Sequence, residues 1–528
     1  MKNIFRNILI GGLSVAMLAS CDLNLTPTTA ITYEDGTLVL LNERDVAEFQ
    51  NGVIASYRGL HYGSHWQTVE VMTECFNATV DFGNNYGFVH KLGSSLLAND
   101  DNTTGIWSSH YSAIKNYNIA IEQCMMLEDK AASDEEAKAL LPSANVLKGM
   151  ALFCRASSYL TLARAFSADY DPATASTQLS VPLILKYDQL EKPVRATLEE
   201  VYNQIINDLD EAELLLEEAG VEGPLGLNGV ALNILGQANA QAPTLDAVKA
   251  IKARYYLDTE DYAKAAEMAE DVIDSDAGYE LAASIEAMEA EFVANEGNEA
   301  IMRLYASVSE GAVGCTLYTG VNSTDEEGKF FSPLFIPSKV IVNAYANSDL
   351  RKQVWFPVDM YPVKIQGDLH TGIAMFTKFI GAPSLQTSAN ENGAQYCKPL
   401  SVSEMYLIAA EAYAKDGDES SAARVLGELK TARRAGASSG DIMEDIKLEW
   451  MRETVGEGQR INCIKRWGDG LPARPAQTAA ESIVMNTPVQ DFTGRELASN
   501  AHTLVWPIPS YEIKISPALV QNPGYSAE

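Results

Sequence analysis

Between His61 and Gly93 the sequence sets Trp66, Tyr86 and Phe88 close to Asn77, Asp81, Asn84 and Asn85. A second set of rings, Tyr318, Phe330, Phe331 and Trp355, lies beyond residue 300. The chemistry open to such a pattern is stacking combined with hydrogen bonding. A sugar ring offers a C–H face that lies flat on an indole or phenol, while its hydroxyls need amide, carboxylate or guanidinium partners at the rim. Trp66, Asn77, Asp81, Asn84, Tyr86, Phe88, Tyr318, Phe331 and Trp355 are therefore the candidate ligand-binding residues. The competing reading for each ring is that it packs the core beneath a loop.

Signatures of catalysis are missing. The chain has no His-Glu-x-x-His, no Gly-x-Ser-x-Gly, no phosphate-binding glycine loop and no dinucleotide fingerprint. His61 and His65 stand four residues apart, but Gly63 between them argues against the helix that a paired metal site would need. Asp100, Asn102, Thr104 and Gly105 imitate the first half of a calcium loop, yet Tyr111 takes the place of the closing glutamate. Helix capping is the stronger reading there, so no cofactor is expected, with a structural calcium left open. A glycosidase needs only two carboxylates held apart by the fold, which sequence spacing does not reveal.

Helical periodicity supplies the scaffold for these residues. Asn42 to Leu60 reads as a helix, and the polar run from Asn99 to Gly105 starts another, marked by Ile106, Trp107, Tyr111, Ile114, Tyr117 and Ile121. Further helices are expected over Asn145 to Phe166, Thr197 to Leu216, Ser338 to Ala346 and Asp441 to Arg466, the last interrupted by Gly456 and Gly458. Thr244 to Asp274 is a helical hairpin with tetratricopeptide-like spacing. Ala253, Tyr256, Ala265 and Val272 are matched at the same offsets by Ala410, Tyr413, Ala422 and Leu429. His61 to Gly93 reads as loop, as does Ala219 to Pro243. Val181 to Ile184, Ile301 to Tyr305 and Val354 to Phe356 look extended. Pro507, Pro509, Pro517 and Pro523 forbid a continuous terminal helix and suggest a tail wrapped over the body.

The N-terminus reads as a secretory leader. Lys2 and Arg6 precede an apolar run, Ile8 to Ala19, that is too short to span a bilayer. It ends in Leu18-Ala19-Ser20-Cys21, a bacterial lipobox pattern, so Cys21 is the expected lipidation site and Asp22 to Ala30 a tether. At ~0.8 kcal/mol per buried methylene, several acyl chains would hold the chain on a membrane. The net charge of −32 excludes nucleic acid as a natural partner. Cys75, Cys124, Cys154, Cys315, Cys397 and Cys463 are scattered and read as small buried hydrophobes.

In these residues the chain resembles the SusD/RagB lipoproteins of Bacteroidota. The resemblance runs from Cys21 through Gly149 to Phe166 and the Thr244 hairpin to Glu404-Met405-Tyr406-Leu407-Ile408-Ala409-Ala410-Glu411-Ala412. It continues with Glu453, Glu457-Gly458, Arg460, Arg466, Trp467 and Gly468, and ends in Gln521-Asn522-Pro523-Gly524-Tyr525. Cys463 departs from it, standing where the family usually has an aspartate, which puts a local salt bridge in question. The resemblance implies a mainly α fold with four tetratricopeptide-like helix pairs and a loop-rich face with short β segments. It also implies a non-enzymatic, lipid-anchored protein on the outer-membrane surface that captures oligosaccharide for a partner TonB-dependent, SusC-like transporter. Residues 1–21 would be the leader, 22–330 an N-terminal helical region and 331–528 a C-terminal region completing the same fold. A peptide-binding lipoprotein, a protein-binding helical scaffold and a surface glycosidase are the alternatives. The family's motifs are structural and transfer no ligand residue.

Overall fold

The computed structural model describes residues 37–61, 63–83, 85–91, 98–188, 192–219, 242–294, 296–304, 306, 308, 320–324, 326–386, 395–473 and 496–526. Cys21, Asn84, Tyr318, the loop 220–241 and the side chain of Phe88 lie outside them.

Polar caps set the start of nearly every long helix. Asn42 accepts the backbone N–H groups of Arg44 and Asp45 at the head of α1 (Glu43–Leu60). Two helices, α2 (Ser64–Met72) and α3 (Gly87–Lys91), interrupt the stretch expected to be loop. Asp100 accepts the N–H groups of Asn102 and Thr103, both at 3.0 Å, and so caps α4 (Asp101–Ala131). Its carboxylate is thus engaged in the capping role. Asp134 does the same for α5 (Glu135–Phe166), while Thr197 and Glu200 form a capping box on α6 (Leu198–Glu218).

The anticipated hairpin is α7 (Leu245–Asp258) with α8 (Tyr262–Ile273), capped by Thr244 and Asp261. Its sequence echo is a second hairpin, α12 (Val402–Asp416) with α13 (Glu419–Arg433). The small residues explain why they stack: Ala265, Ala269, Ala409, Ala410 and Ala412 are all 0 % exposed, and α8 packs directly on α12. Tyr413 donates to Glu270 at 2.6 Å, and Arg254 grips Glu404 with two bonds of 2.7 and 2.5 Å. Neighbour on neighbour from α4 to α8, then on to α12 and α13, the helices form one continuous array. Among the described residues no helix is long and apolar enough to cross a membrane.

Between the hairpins lie α9 (Ile285–Glu289), α10 (Lys339–Ala344), α11 (Leu350–Trp355) and short strands. Val354 and Trp355, expected to be extended, form the last turn of α11, because Asp349 caps Arg351 N–H and starts a helix just upstream. Strand β1 (Phe76–Ala78) pairs antiparallel with β5 (Phe335–Pro337), and β2 (Ala300–Leu304) with β8 (Cys397–Ser401). A four-stranded sheet has the order β3 (Val321–Thr324), β4 (Gly328–Phe331), β6 (Val363–Ile365), β7 (Asp368–His370).

Buried arginines tie the core together. Arg351 and Arg433, both 0 % exposed, converge on Glu453 of α14 (Ile442–Thr454) at 2.9 and 2.6 Å. Arg351 also pairs with Asp349 and Glu449, and Arg433 with Glu299. The two guanidinium groups hold the Glu453 carboxyl well below its ordinary range against the opposing effect of burial. On α15 (Arg460–Trp467), Arg466 makes a two-bond pair with Glu411, both bonds 2.9 Å. Cys463 Sγ, at the position of the questioned salt bridge, receives a 3.7 Å contact from Arg466. The described cysteines, Cys75, Cys124, Cys154, Cys397 and Cys463, are all buried and unbridged.

The tail does wrap over the body. Trp506 donates its backbone N–H to Ala165 O at 2.8 Å. Asn522 Nδ2 reaches both Phe166 O and Trp506 O, at 2.8 and 2.7 Å. Trp506 packs edge-on against Phe166, which packs edge-on against Trp107.

Candidate ligand-binding face and adjoining cleft

Pairing of β1 with β5 carries the loop after Ala78 over the β4 end of the sheet. Thr79 donates to Leu334 O through its backbone (2.9 Å) and to Pro333 O through its hydroxyl (3.1 Å). Gln366 and Gly367, both at positive φ (52° and 90°), make the tight turn between β6 and β7. The exposed Asp81 carboxylate accepts the Gln366 N–H at 2.7 Å, joining loops 285 residues apart in sequence. Beneath this face, Val321, Phe331, Ile336, Val363, Ile365 and Met375 form a small separate core. Tyr361 lies half-buried at its edge, its ring 5.2 Å from Phe331.

The candidate residues divide accordingly. Asp81 is exposed on this face, whereas Tyr86 is half-buried against the main helical core, at φ 54° with its hydroxyl donating to Gln67 Oε1 at 3.2 Å. Asn77 lies beneath, 2 % exposed on β1. Phe331 and Trp355 are corrections: both are 0 % exposed, so no ring face is left for a ligand. Phe331 fills the core under the sheet, and Trp355 is enclosed by Phe292 edge-on at 4.8 Å and Lys378 Nζ at 4.1 Å over its ring. Phe330 is buried too, with Lys364 above it. Tyr361 was missed although Asp359, Gln366 and Asp368 flank it in sequence; its half-exposure comes from its place just before β6 at the edge of the small core.

Trp66, half-buried on α2, faces a cleft of about 120 Å3 instead. Its ring tilts against Phe379 at 5.1 Å. The adjoining wall is the loop between α14 and α15, where Gly456 and Gly458 hold φ of 81° and 73°. A Cβ on Gly458 would meet Trp66 Cα at 2.9 Å, and one on Gly456 would meet the Phe376 ring at 2.6 Å, so only glycine lets this loop approach so closely. Gly458 N–H donates to Glu70 Oε1 at 3.0 Å. Glu70 is 0 % exposed, its Oε2 has no partner among the described residues, and burial pushes its carboxyl up to about 8 despite those backbone N–H groups and Lys378.

The charged side chains around the cleft are already matched. Arg164 pairs with Asp258 at 2.6 Å, Arg254 with Glu404 at 2.5 Å, Lys398 with Glu291 at 2.9 Å and Glu457 with Lys378 at 2.7 Å. Among the described residues no group of three or more His, Cys, Asp or Glu side chains could hold a metal ion.

Two family models match the chain. One, described as "Starch-binding associating with outer membrane", covers residues 31–224, and one described as "SusD family" covers 303–525. A SusD-like protein P2 from Formosa agariphila is 23 % identical over 521 residues, 91 % of this chain and 93 % of that protein. Among solved structures, a SusD superfamily protein from Bacteroides thetaiotaomicron superposes with a TM-score of 0.71 at 21 % identity, covering 91 % of this chain and 99 % of the other. The surface glycan-binding protein A from Bacteroides uniformis gives 0.65 at 19 % identity, covering 91 % and 99 %. With the helical hairpins, the arginine-bound α14 carboxylates and the docked tail in place, the chain belongs to the SusD/RagB family.

Proposed function

We propose that this is a non-catalytic glycan-binding protein of the outer membrane, tethered through lipidated Cys21. It captures oligosaccharides at the cell exterior and passes them to a SusC-like TonB-dependent transporter. The observation that carries the reading is the Asp81–Gln366 bond, which draws two remote loops together at the small core along whose edge Tyr361 lies half-buried. Half-exposed rings among carboxylates and amides match a sugar's alternation of apolar face and hydroxyl rim. Relatives named for glycan binding and for association with the outer membrane point the same way. The buried carboxylates Glu449, Glu453, Glu411 and Glu404 are bound to arginines, which suits a structural rather than a catalytic role.

The test is a glycan and peptide array probed with the full-length protein, followed by titration of the best polysaccharide. Replacing Tyr361 by alanine is expected to weaken binding tenfold or more, about 1.4 kcal/mol or above. Unchanged affinity would remove this face from the reading. Binding confined to peptides would support the peptide-binding alternative, and release of reducing ends from the polysaccharide would make the protein an enzyme.

A further inference from the structure

Acidic residues outnumber basic ones 71 to 39 in this chain, and Arg155, Arg351, Arg433 and Arg466 each sit on a carboxylate. Arg195 and Lys465 do not. Arg195, 8 % exposed, directs three of its five N–H groups to the carbonyls of Leu179, Ser180 and Val520. Lys465 on α15 donates to Arg164 O at 2.5 Å and to Ser167 O at 2.7 Å, at the end of α5. Among the described residues neither cation forms an ion pair with a carboxylate. The two share one seam, because Ser167 Oγ and Ser180 Oγ hydrogen-bond at 2.8 Å between them.

Both cations line a cavity of about 500 Å3, inside the ~300–1000 Å3 range of small-molecule sites. The docked tail closes it on one side, held where Arg195 Nη1 meets Val520 O at 3.0 Å. The third charged group in the lining is Asp169, half-buried in the segment after α5. Its carboxylate has no hydrogen bond and no ion pair among the described residues, and neither oxygen is sealed from solvent. Burial pushes Asp169 up to about 6 and Lys465 down to about 8, and the opposite charge of each only partly offsets this for the other. The His502 ring, also in the lining, packs edge-on against Tyr525.

Three charges in one cavity select the chemistry of what enters it. A neutral hydroxylated molecule would leave all three without counter-ions. A simple anion would answer Lys465 and Arg195 but face Asp169, and a simple cation would do the reverse. A molecule that carries both a carboxylate and an ammonium answers every one. Its carboxylate accepts from the remaining N–H groups of Lys465 and Arg195, and its ammonium donates to Asp169. The rest of the wall is largely apolar: Leu179 and Val520 stand 37 % and 58 % exposed beside Leu504 and Val505, a surface that an aliphatic or aromatic group would cover. We propose that this cavity binds a small zwitterion with an apolar side chain, a free α-amino acid or a dipeptide. The cavity shares no residue with the Asp81–Gln366 face, so either site can fail alone.

Full-length protein in detergent is titrated calorimetrically with L-leucine, L-phenylalanine and L-leucyl-L-leucine. N-acetyl-L-leucine lacks the ammonium, 3-methylbutylamine the carboxylate and glycine the side chain. Saturable binding of at least one of the first three is expected, and which of them binds separates amino acid from dipeptide. Each truncated probe should bind tenfold or more weaker. Asp169→Asn should weaken the zwitterion at least tenfold and N-acetyl-L-leucine not at all. That variant should melt close to the parent and keep its polysaccharide binding, since Asp169 bonds to nothing in the described protein. Lys465→Met should weaken binding as well; if the loss of its two bonds to the end of α5 prevents folding, Asp169→Asn carries the test. No saturable binding of any of the three zwitterions overturns the proposal. So does zwitterion binding that survives Asp169→Asn, or N-acetyl-L-leucine binding as tightly as the best zwitterion.

Discussion

Replacing Glu70 by glutamine removes a carboxyl that must stay protonated to remain where it is. Its folded value of about 8 stands well above the ordinary carboxylate value of 4.5. Below 4.5 the group is protonated in both states and costs nothing. From there to about 8 the unfolded chain releases a proton that the folded chain keeps, so stability falls as pH rises, and above 8 the loss is complete. At ~1.4 kcal/mol per unit, the loss approaches about 5 kcal/mol over the whole window, and about 2 kcal/mol of it falls between pH 6 and pH 8. Unfolding entropy for a chain of this length is of order 1 kcal/mol per kelvin, so the shift in Tm between those pH values is about 2 °C. Glutamine keeps an oxygen for the Gly458 N–H and has no proton to lose. The assay is a thermal melt of the parent and Glu70→Gln at half-unit steps from pH 5.5 to 8.5. The Tm difference should grow in favour of the variant as pH rises. Parallel curves would refute the argument, because they would mean that Glu70 ionises in the fold at no cost.

Three further outcomes follow from the same interior. Gly458→Ala should cost about 1–3 kcal/mol for its left-handed backbone and more for the Trp66 clash, whereas Gly468→Ala, at φ 66° with nothing within 4 Å, should cost only the backbone part, the two being compared by urea unfolding. Glu453→Gln leaves Arg351 and Arg433 facing a neutral amide, and loss of a buried charge partner is expected to destabilise by about 3–5 kcal/mol in the same assay. Trp355→Ala should lose about 3–5 kcal/mol through the cavity it opens, with polysaccharide affinity per folded molecule unchanged; a selective loss of affinity would return this ring to the binding face.

The hairpin over Thr244 to Asp274 and its echo at Ala410 could be read directly, because alanines at helical spacing dictate a close approach that few other packings use. α2 and α3 were hidden, since helices of nine and five residues owe more to tertiary contact than to periodicity, and Gly63 and Gly83 break the pattern around them. Aromatic content could not separate Tyr86 from Trp355: both rings sit near loops, and only the packing of Phe292 and Lys378 around Trp355 makes it core. The cleft was invisible for a different reason. Its walls come from α1, α2, α4, α5, α7, the approach to β8 and the loop before α15, and no local pattern joins segments so far apart.

The docking of Asn522 onto Phe166 spans 356 residues. A nascent chain therefore cannot close its first half until residue 522 has been made. Up to that moment the surface of Phe166 and Trp107 that Trp506 will cover stays open. Such long-range closure makes folding slow and late. A chain that stops before Asn522 would lack this latch.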